Sequence, residues 1–112
     1  MKDETRKNLV DVIQAGEEIQ DFVRGMDFKA YQSSPVTQRA VERDFEIIGE
    51  ALNRIKSTDD ELLDNISELH RIIGFRNILI HGYDVVDEAI VWQALTKHLP
   101  ILISEIKELL GT

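Results

Sequence analysis

The stretch Arg76-Asn77-Ile78-Leu79-Ile80-His81-Gly82-Tyr83 gathers polar side chains at the predicted end of a helix. Apolar residues at helical spacing precede it, and Gly82 suits a helix terminus because glycine readily adopts positive φ. A turn at Gly82 would bring Tyr83 back beside His81. We therefore expect the other helices to position this segment, and the segment to carry the function.

The composition predicts one globular domain over residues 1–112, with 43% hydrophobic and 30% charged residues. No apolar run approaches the ~18 residues that span a bilayer, and Met1–Thr5 is charged, unlike a signal peptide. The absence of cysteine excludes disulfides and thiolate metal sites. We expect a cytoplasmic protein.

The net charge of -8 works against non-specific nucleic-acid binding, so an RNA function needs a local or assembled basic patch.

Apolar residues recur with a period of about 3.6 along most of the chain, and no alternating strand pattern appears. Ser34 and Pro35 are typical of an N-cap and a first helical turn. Pro100 should kink or split the helix that contains it. The predicted helices cover residues 3–25, Pro35 to about Lys56, a short piece followed by a longer helix from about Ser67 to His81 or Gly82, and about Asp87 to Leu110.

These patterns predict an all-α fold, an antiparallel up-down bundle of four to five helices. Residues 27–33 are predicted to be a connector whose Phe28 and Tyr31 fold back onto the core. Gly49 lies inside a helix at a cost of ~1 kcal/mol relative to alanine, which we attribute to close approach of another helix. The apolar stripes are broad for so small a domain, and a homodimer interface would explain them.

The polar residues of the opening stretch suit a particular chemistry. Histidine can accept and return a proton near neutral pH, and arginine matches phosphate oxygens. Tyrosine offers a hydroxyl and a stacking face for a base. Together, Arg76, His81 and Tyr83 suit cleavage of an RNA phosphodiester by its own 2′-hydroxyl, without a metal ion. The alternative is that Arg76 and His81 only cap the helix C-terminus, where cations are favoured.

Helical geometry limits how these residues can meet. Asn77 and His81 are four residues apart and share a face. Arg76 and His81 are five apart, or about 140° around the axis. They converge only if the helix loosens at His81, if Arg76 reaches around, or if a symmetry mate supplies one of them.

Arg76, His81 and Tyr83 also match the Arg-x4-His-x-Tyr motif, and the chain resembles the HepT-like (DUF86) branch of the HEPN superfamily. Residues 43–51 are similar to the second-helix segment of that branch. Residues 73–83 are similar to its core, and residues 86–92 to the opening of its last helix. The resemblance covers essentially the whole chain.

The resemblance implies a helical homodimer and an RNase toxin, of a type VII-like toxin–antitoxin system, whose cleft uses the motifs of both protomers. Arg76 and His81 would be catalytic, and Asn77 would support them. Tyr83 would receive AMP from a partner, a minimal nucleotidyltransferase antitoxin. The added phosphate and bulk should repel or block RNA. No cofactor is implied.

Other charged residues are weaker candidates. His70 and Arg71 could contact RNA, although a solvated helix face is the simpler interpretation. Asp84, Asp87 and Glu88 lack the spacing of a multi-ligand site, so helix capping is favoured and no metal is expected. His98 is interpreted as structural or exposed. Surface ion pairs are predicted for a group of basic residues that alternate with acidic ones: Arg39, Arg43, Arg54 and Lys56.

Two other functions stay open at the level of sequence. The protein could be a non-catalytic subunit that binds the nucleotidyltransferase and presents substrate to it, which suits the net charge of -8 better. Alternatively, the polar cluster only caps a helix in a dimerisation module.

Overall fold

A computed structural model of the chain describes residues 1–81 and 87–111, and these residues are largely α-helical. The all-α prediction is confirmed. None of the described helices is long and apolar enough to cross a membrane. The α-helices are α1 (Asp3–Phe22), α2 (Phe28–Gln32), α3 (Pro35–Thr58), α4 (Leu69–His81), α5 (Glu88–Gln93) and α6 (Leu99–Leu110), with a 3-10 helix at Asp60–Asn65 and a π-helical turn at Ala94–His98.

Local signals placed several helix ends correctly. The turn after α1 contains Gly25 with φ 79°, as expected for a glycine that closes a helix. The Ser34 side chain accepts a hydrogen bond from the Thr37 amide, and Pro35 occupies the first turn of α3. These ends follow from residues within one helical turn, which is why the sequence predicts them.

The prediction of a connector over residues 27–33 was wrong, because α2 occupies most of it. The Asp27 carboxylate caps this short helix by accepting a hydrogen bond from the Ala30 amide at 2.8 Å. Tyr31 is fully buried, and its ring centroid lies 5.3 Å from that of Trp92. The prediction that Tyr31 packs into the core is therefore confirmed, and α2 is the element that places it there.

The last predicted helix is split, as Pro100 required, but the irregular turn lies ahead of the proline. Proline has no N–H and its ring clashes with the carbonyl four residues earlier, which here belongs to Thr96. Residues Ala94–His98 form a π-helical turn, which widens the backbone at that carbonyl. With this split and α2, the described residues form six α-helices instead of four to five.

The hydrophobic core is organised around α3, which packs against α1 and against α4. Helix α6 packs on α1. Gly16 of α1 makes this possible, because a Cβ atom there would lie 2.9 Å from the Ile103 side chain of α6. The α3 residues that are completely buried are Val41, Phe45, Ile48, Leu52 and Ile55.

The close approach predicted at Gly49 is confirmed, and the approaching helix is α4. A Cβ atom built at Gly49 would overlap the Cβ of Arg76 and would lie 2.7 Å from its Cγ and Cδ. The Arg76 Cβ is fixed to the backbone and cannot swing away as a side-chain tip can. Glycine at position 49 is therefore what allows α4 to bring Arg76 against α3.

An acidic residue lies in the core face of α3 beside these apolar side chains. Asp44 is only 6% exposed. Burial raises the pKa of its carboxyl group to about 7, and a hydrogen bond and charge repulsion from Glu18 of α1 act in the same direction. The charge of Arg43 acts in the opposite direction. Asp44 therefore takes up a proton far more readily than an exposed aspartate.

Two of the helical glycines, Gly49 and Gly74, predict opposite effects of substitution by alanine on the free energy of unfolding. Gly49→Ala should lower the free energy of unfolding by about 1–3 kcal/mol, because its methyl group overlaps the Arg76 stem. At Gly74 in α4, a Cβ would meet nothing within 4 Å. Gly74→Ala should therefore raise the free energy of unfolding by about 0.5–1 kcal/mol through helix propensity. Chemical denaturation of both variants measures this, and equal effects of the two substitutions would contradict the packing at Gly49.

Asp44 predicts a stability that falls as pH rises from about 4 to about 7. In this window the folded state holds a proton on Asp44 that the unfolded state has released, since the folded pKa is the higher one. Asp44→Asn should remove this fall and stabilise the protein at pH 8. Denaturation curves from pH 4 to 8 test it, with the exposed Asp64→Asn as the matched control; an unchanged pH profile in Asp44→Asn would refute the assignment.

Candidate functional site

Helix α4 carries the candidate site, and contacts with distant parts of the chain hold it in place. Its face toward the core buries Leu69, Ile72 and Phe75, which recur every three residues. The ring of Phe75 meets that of Phe45 edge-on, with centroids 5.0 Å apart. Just before α4, the Glu105 carboxylate of α6 accepts hydrogen bonds from the Ser67 amide and hydroxyl at 3.0–3.2 Å. The helix is therefore anchored at its start and along one side.

Arg76 lies half-buried on α4, with its aliphatic stem against Gly49. Its Nε atom is buried and has no hydrogen-bond partner among the described residues. Its Nη1 atom donates to the Asn77 side-chain oxygen at 3.4 Å, at the exposed surface. Leaving a buried donor unpaired costs about 1–3 kcal/mol, so this arrangement is not what helix stability alone would favour. The stem is immobilised in the protein while the end of the guanidinium stays near solvent.

The structure brings Asn77 and Arg76 into contact, and Asn77 is exposed. His81 is the last residue of α4, so the helix continues to this position without an earlier break. The His81 side chain, Gly82 and Tyr83 lie outside the described residues. The predicted swing of Tyr83 toward His81 therefore stays a prediction.

His70 and Arg71 are exposed near the start of α4, as expected for a solvated face. Glu68 contacts two basic side chains there. Its Oε2 atom lies 3.2 Å from Nε of Arg71 and 3.0 Å from Nδ1 of His98. Of the two interpretations of His98, structural or exposed, the structure supports the structural one, because the side chain is largely buried against Glu68.

Two of the four basic residues on α3 for which surface ion pairs were predicted form them in the structure. Arg43 pairs with Glu46 at 3.2 Å, and Arg54 pairs with Glu50 at 2.6 Å. Such exposed pairs contribute little to stability, but they offset local positive charge. Arg76 of α4, whose Nε atom has no hydrogen-bond partner among the described residues, is therefore a better candidate for contact with phosphate than these paired arginines.

A metal site finds no support in the described part of the chain, where no group of three or more potential metal ligands occurs. The Asp87 carboxylate instead accepts a hydrogen bond from the Ala89 amide at 2.9 Å and caps α5. This confirms the capping interpretation of Asp87.

Three features of the site region escaped the sequence. The partner of Gly49 was predicted only as some other helix, and the Glu68–His98 contact joins residues 30 positions apart. The buried Asp44 had a signal that was overlooked, since position 44 falls three residues after Val41 within the apolar stripe of α3.

Comparisons with known proteins identify the family of the chain. A family model described as Ribonuclease HepT-like matches residues 12–109. A candidate RNase, TTE0752 of Caldanaerobacter subterraneus subsp. tengcongensis, is 35% identical over 94% of this chain and 93% of its own length. The probable ribonuclease HepT of Thermococcus cleftensis is 33% identical over 97% of this chain and 98% of its own.

Another candidate RNase, MJ1380 of Methanocaldococcus jannaschii, is 27% identical over 95% of this chain and 96% of its own length. No solved structure matches the chain. The family match begins midway through α1 and continues through nearly all of α6, so it includes α4, the helix that carries Arg76. The chain therefore belongs to the HepT-like ribonuclease family of the HEPN superfamily.

Proposed function

We propose that this protein is a metal-independent endoribonuclease, acting as a homodimer and as the toxin of a type VII-like toxin–antitoxin pair. A minimal nucleotidyltransferase would neutralise it by transferring AMP to Tyr83. The observation that carries the catalytic part is the placement of Arg76. It lies on α4, the helix that ends at His81, and its stem packs against Gly49 of α3. Membership of a ribonuclease family supports the substrate class.

The proposed reaction is an internal transesterification of RNA. The 2′-hydroxyl oxygen attacks the adjacent phosphorus, and the bond from phosphorus to the 5′-oxygen of the next nucleotide breaks. The products are a 2′,3′-cyclic phosphate and a free 5′-hydroxyl. Histidine would take the proton from the 2′-hydroxyl and return one to the leaving oxygen. The Arg76 guanidinium would stabilise the negative charge that builds up on the phosphorane.

The continuous course of α4 supports a site built from two protomers. Because the backbone stays helical through His81, the Cα atoms of Arg76 and His81 are separated by about 140° around the axis. One helix therefore presents the two positions in different directions. A homodimer would let Arg76 of one protomer act with His81 of the other, and would supply two histidines for the two proton transfers. Asn77 supports Arg76 through its hydrogen bond, and His70 and Arg71 are proposed as RNA contacts.

Cleavage of RNA by the purified protein tests this proposal. Wild type should cleave in the presence of EDTA and leave 2′,3′-cyclic phosphate ends. Arg76→Ala and His81→Ala should each lower the cleavage rate by roughly 100- to 1000-fold, because each removes charge stabilisation or proton transfer in the transition state. The measurement is the initial rate on a labelled RNA, with product ends identified by mass spectrometry.

Arg54→Ala is the matched control. It removes an exposed arginine of α3, outside the proposed site, that pairs with Glu50 of the same helix. It should cleave like wild type. Intact RNA and normal growth after expression of wild type and both variants would refute the ribonuclease proposal. That result would favour the second candidate, a non-catalytic subunit that binds the nucleotidyltransferase, which the net charge of -8 and the ion-paired arginines of α3 also fit.

The modification predicts that a single tyrosine gains AMP. Co-expression with the nucleotidyltransferase should add the mass of AMP to the intact protein, and peptide mapping should place it on Tyr83. Tyr83→Phe should abolish the mass gain while leaving RNA cleavage in place, because phenylalanine lacks the accepting hydroxyl. Intact-protein mass spectrometry measures the gain, and RNA cleavage before and after modification measures inhibition.

The chain contains a built-in control, because its other tyrosine is Tyr31. Tyr31 is fully buried, with a relative accessibility of 0%, and its hydroxyl is buried as well, so it should not be modified in the folded protein. AMP found on a residue other than Tyr83, or a gain that persists in Tyr83→Phe, would contradict the proposed control point.

A further inference from the structure

A groove lies between α4 and the segment formed by α5 and the following π-helical turn. It encloses a cavity of about 340 Å³, within the size range of small-ligand sites. Phe75 and Ala94 are buried at its base, while Ile78 and Ile90 line it and are about half exposed, at 51% and 50%. The groove is thus an apolar recess open to solvent, on the helix that carries Arg76.

Gly74 contributes an empty part of this recess. A Cβ built at Gly74 would meet nothing within 4 Å. Glycine weakens the interior of a helix, so its presence there needs a reason. Gly49, by contrast, makes room for the stem of Arg76, and Gly16 makes room for the side chain of Ile103. Gly74 is exposed, and no described atom lies in this space, so the groove is open to solvent or a ligand at this position.

Basic side chains lie at one end of the groove. His70, Arg71 and His98 line it, and the described lining residues include no carboxylate. Glu68 holds two of them by contacts with Nδ1 of His98 and Nε of Arg71. These contacts leave Nε2 of His98 and the terminal nitrogens of Arg71 as the atoms that can meet a ligand. Glu68 offsets part of the positive charge there, so what this end of the groove offers an anionic group is mainly these remaining hydrogen-bond donors.

We infer that the groove binds one nucleotide of the RNA substrate, with the base in the apolar recess and its phosphate at the basic end. This inference rests on the ribonuclease function proposed above. Unstacked bases are bound against aromatic and apolar side chains, here Phe75 and Ile90. The Gln93 amide can pair with a base edge, and the Arg71 guanidinium matches phosphate oxygens. A nucleotide held there is fixed relative to Arg76 by the rigid helix that both contact.

Filling the recess from Gly74 tests the inference. Gly74→Leu places a large side chain in the cavity at a position where a Cβ meets no atom, and Gly74→Ala is the matched control with one methyl group. The probe is a fluorescein-labelled 2′-O-methyl RNA oligonucleotide, which cannot be cleaved because its 2′-oxygen is blocked. Gly74→Leu should weaken its binding roughly tenfold or more, and Gly74→Ala far less, in fluorescence anisotropy. Both variants should keep the wild-type circular dichroism and sedimentation coefficient.

A second variant tests the basic end without entering the core. Arg71 is 64% exposed at its side chain, so Arg71→Gln should fold normally. It should weaken the binding of the oligonucleotide and reduce the slope of log affinity against log salt by about one, as expected for the loss of one phosphate contact. An unchanged affinity and slope would contradict the placement of the phosphate, whatever the behaviour of Gly74→Leu.

The outcomes separate this inference from the ribonuclease proposal. If wild type and Gly74→Leu bind the probe and cleave unmodified RNA equally well, the ribonuclease proposal stands and the groove inference fails. If wild type binds the probe through the groove but leaves RNA intact, the cleavage proposal fails and the nucleotide site stands. Loss of a dimer in Gly74→Leu would show that a second copy of the chain fills the groove, which would overturn the inference. Absence of any binding by wild type would overturn it as well.

Discussion

The contact between Gly49 and the aliphatic stem of Arg76 is the constraint on which the arrangement of the site depends. It allows α3 and α4 to approach closely, because any residue other than glycine at position 49 would place its Cβ against the Arg76 Cβ. The same approach brings Phe75 edge-on to Phe45 and closes the core on this side. A long cationic side chain thereby becomes part of the helix packing. This side chain is ordered during folding, so its ordering would not add to the cost of binding the proposed phosphate.

The start and the middle of α4 are held by contacts of different kinds. At the start, Glu105 of α6 receives hydrogen bonds from Ser67, and Glu68 joins the helix to His98 in the π-helical turn. Along the middle, the contact with α3 is apolar apart from Arg76. The irregular turn before Pro100 is therefore more than a response to proline, because it is the part of the backbone that carries His98 toward α4. It also forms one wall of the apolar groove.

Electrostatics divide the described surface unevenly. Arg43 and Arg54 of α3 are paired with carboxylates of the same helix, so they add little local positive potential. His70 and Arg71 of α4 line a groove whose described lining lacks carboxylates, although Glu68 contacts Arg71 beside it. Asp44 lies elsewhere, between α1 and α3, where burial and Glu18 hold its pKa near neutrality. An acidic protein can thus keep a restricted region suited to an anionic chain while most of its surface repels one.

Sequence alone determined the all-α class, the N-terminus of α3, the end of α1 near Gly25 and the position of α4 up to His81. These features depend on apolar periodicity and on capping residues within one turn, which are local properties of the chain. The sequence also singled out Arg76 and His81 by their spacing, and its resemblance to the HepT-like branch agrees with the family match. Residues 27–33 were misread because the cap at Asp27 is a weaker signal than the lack of a long apolar stripe.

Tertiary structure alone decided which group Gly49 accommodates, that Asp44 is buried, that His98 meets Glu68, and that Gly74 opens into a groove. Each of these depends on the distance between helices that are far apart in the chain. A glycine inside a helix looks the same in sequence whether it admits an arginine or leaves a cavity. The difference arises only when the neighbouring helix is in place, because steric fit is a property of two surfaces and not of one.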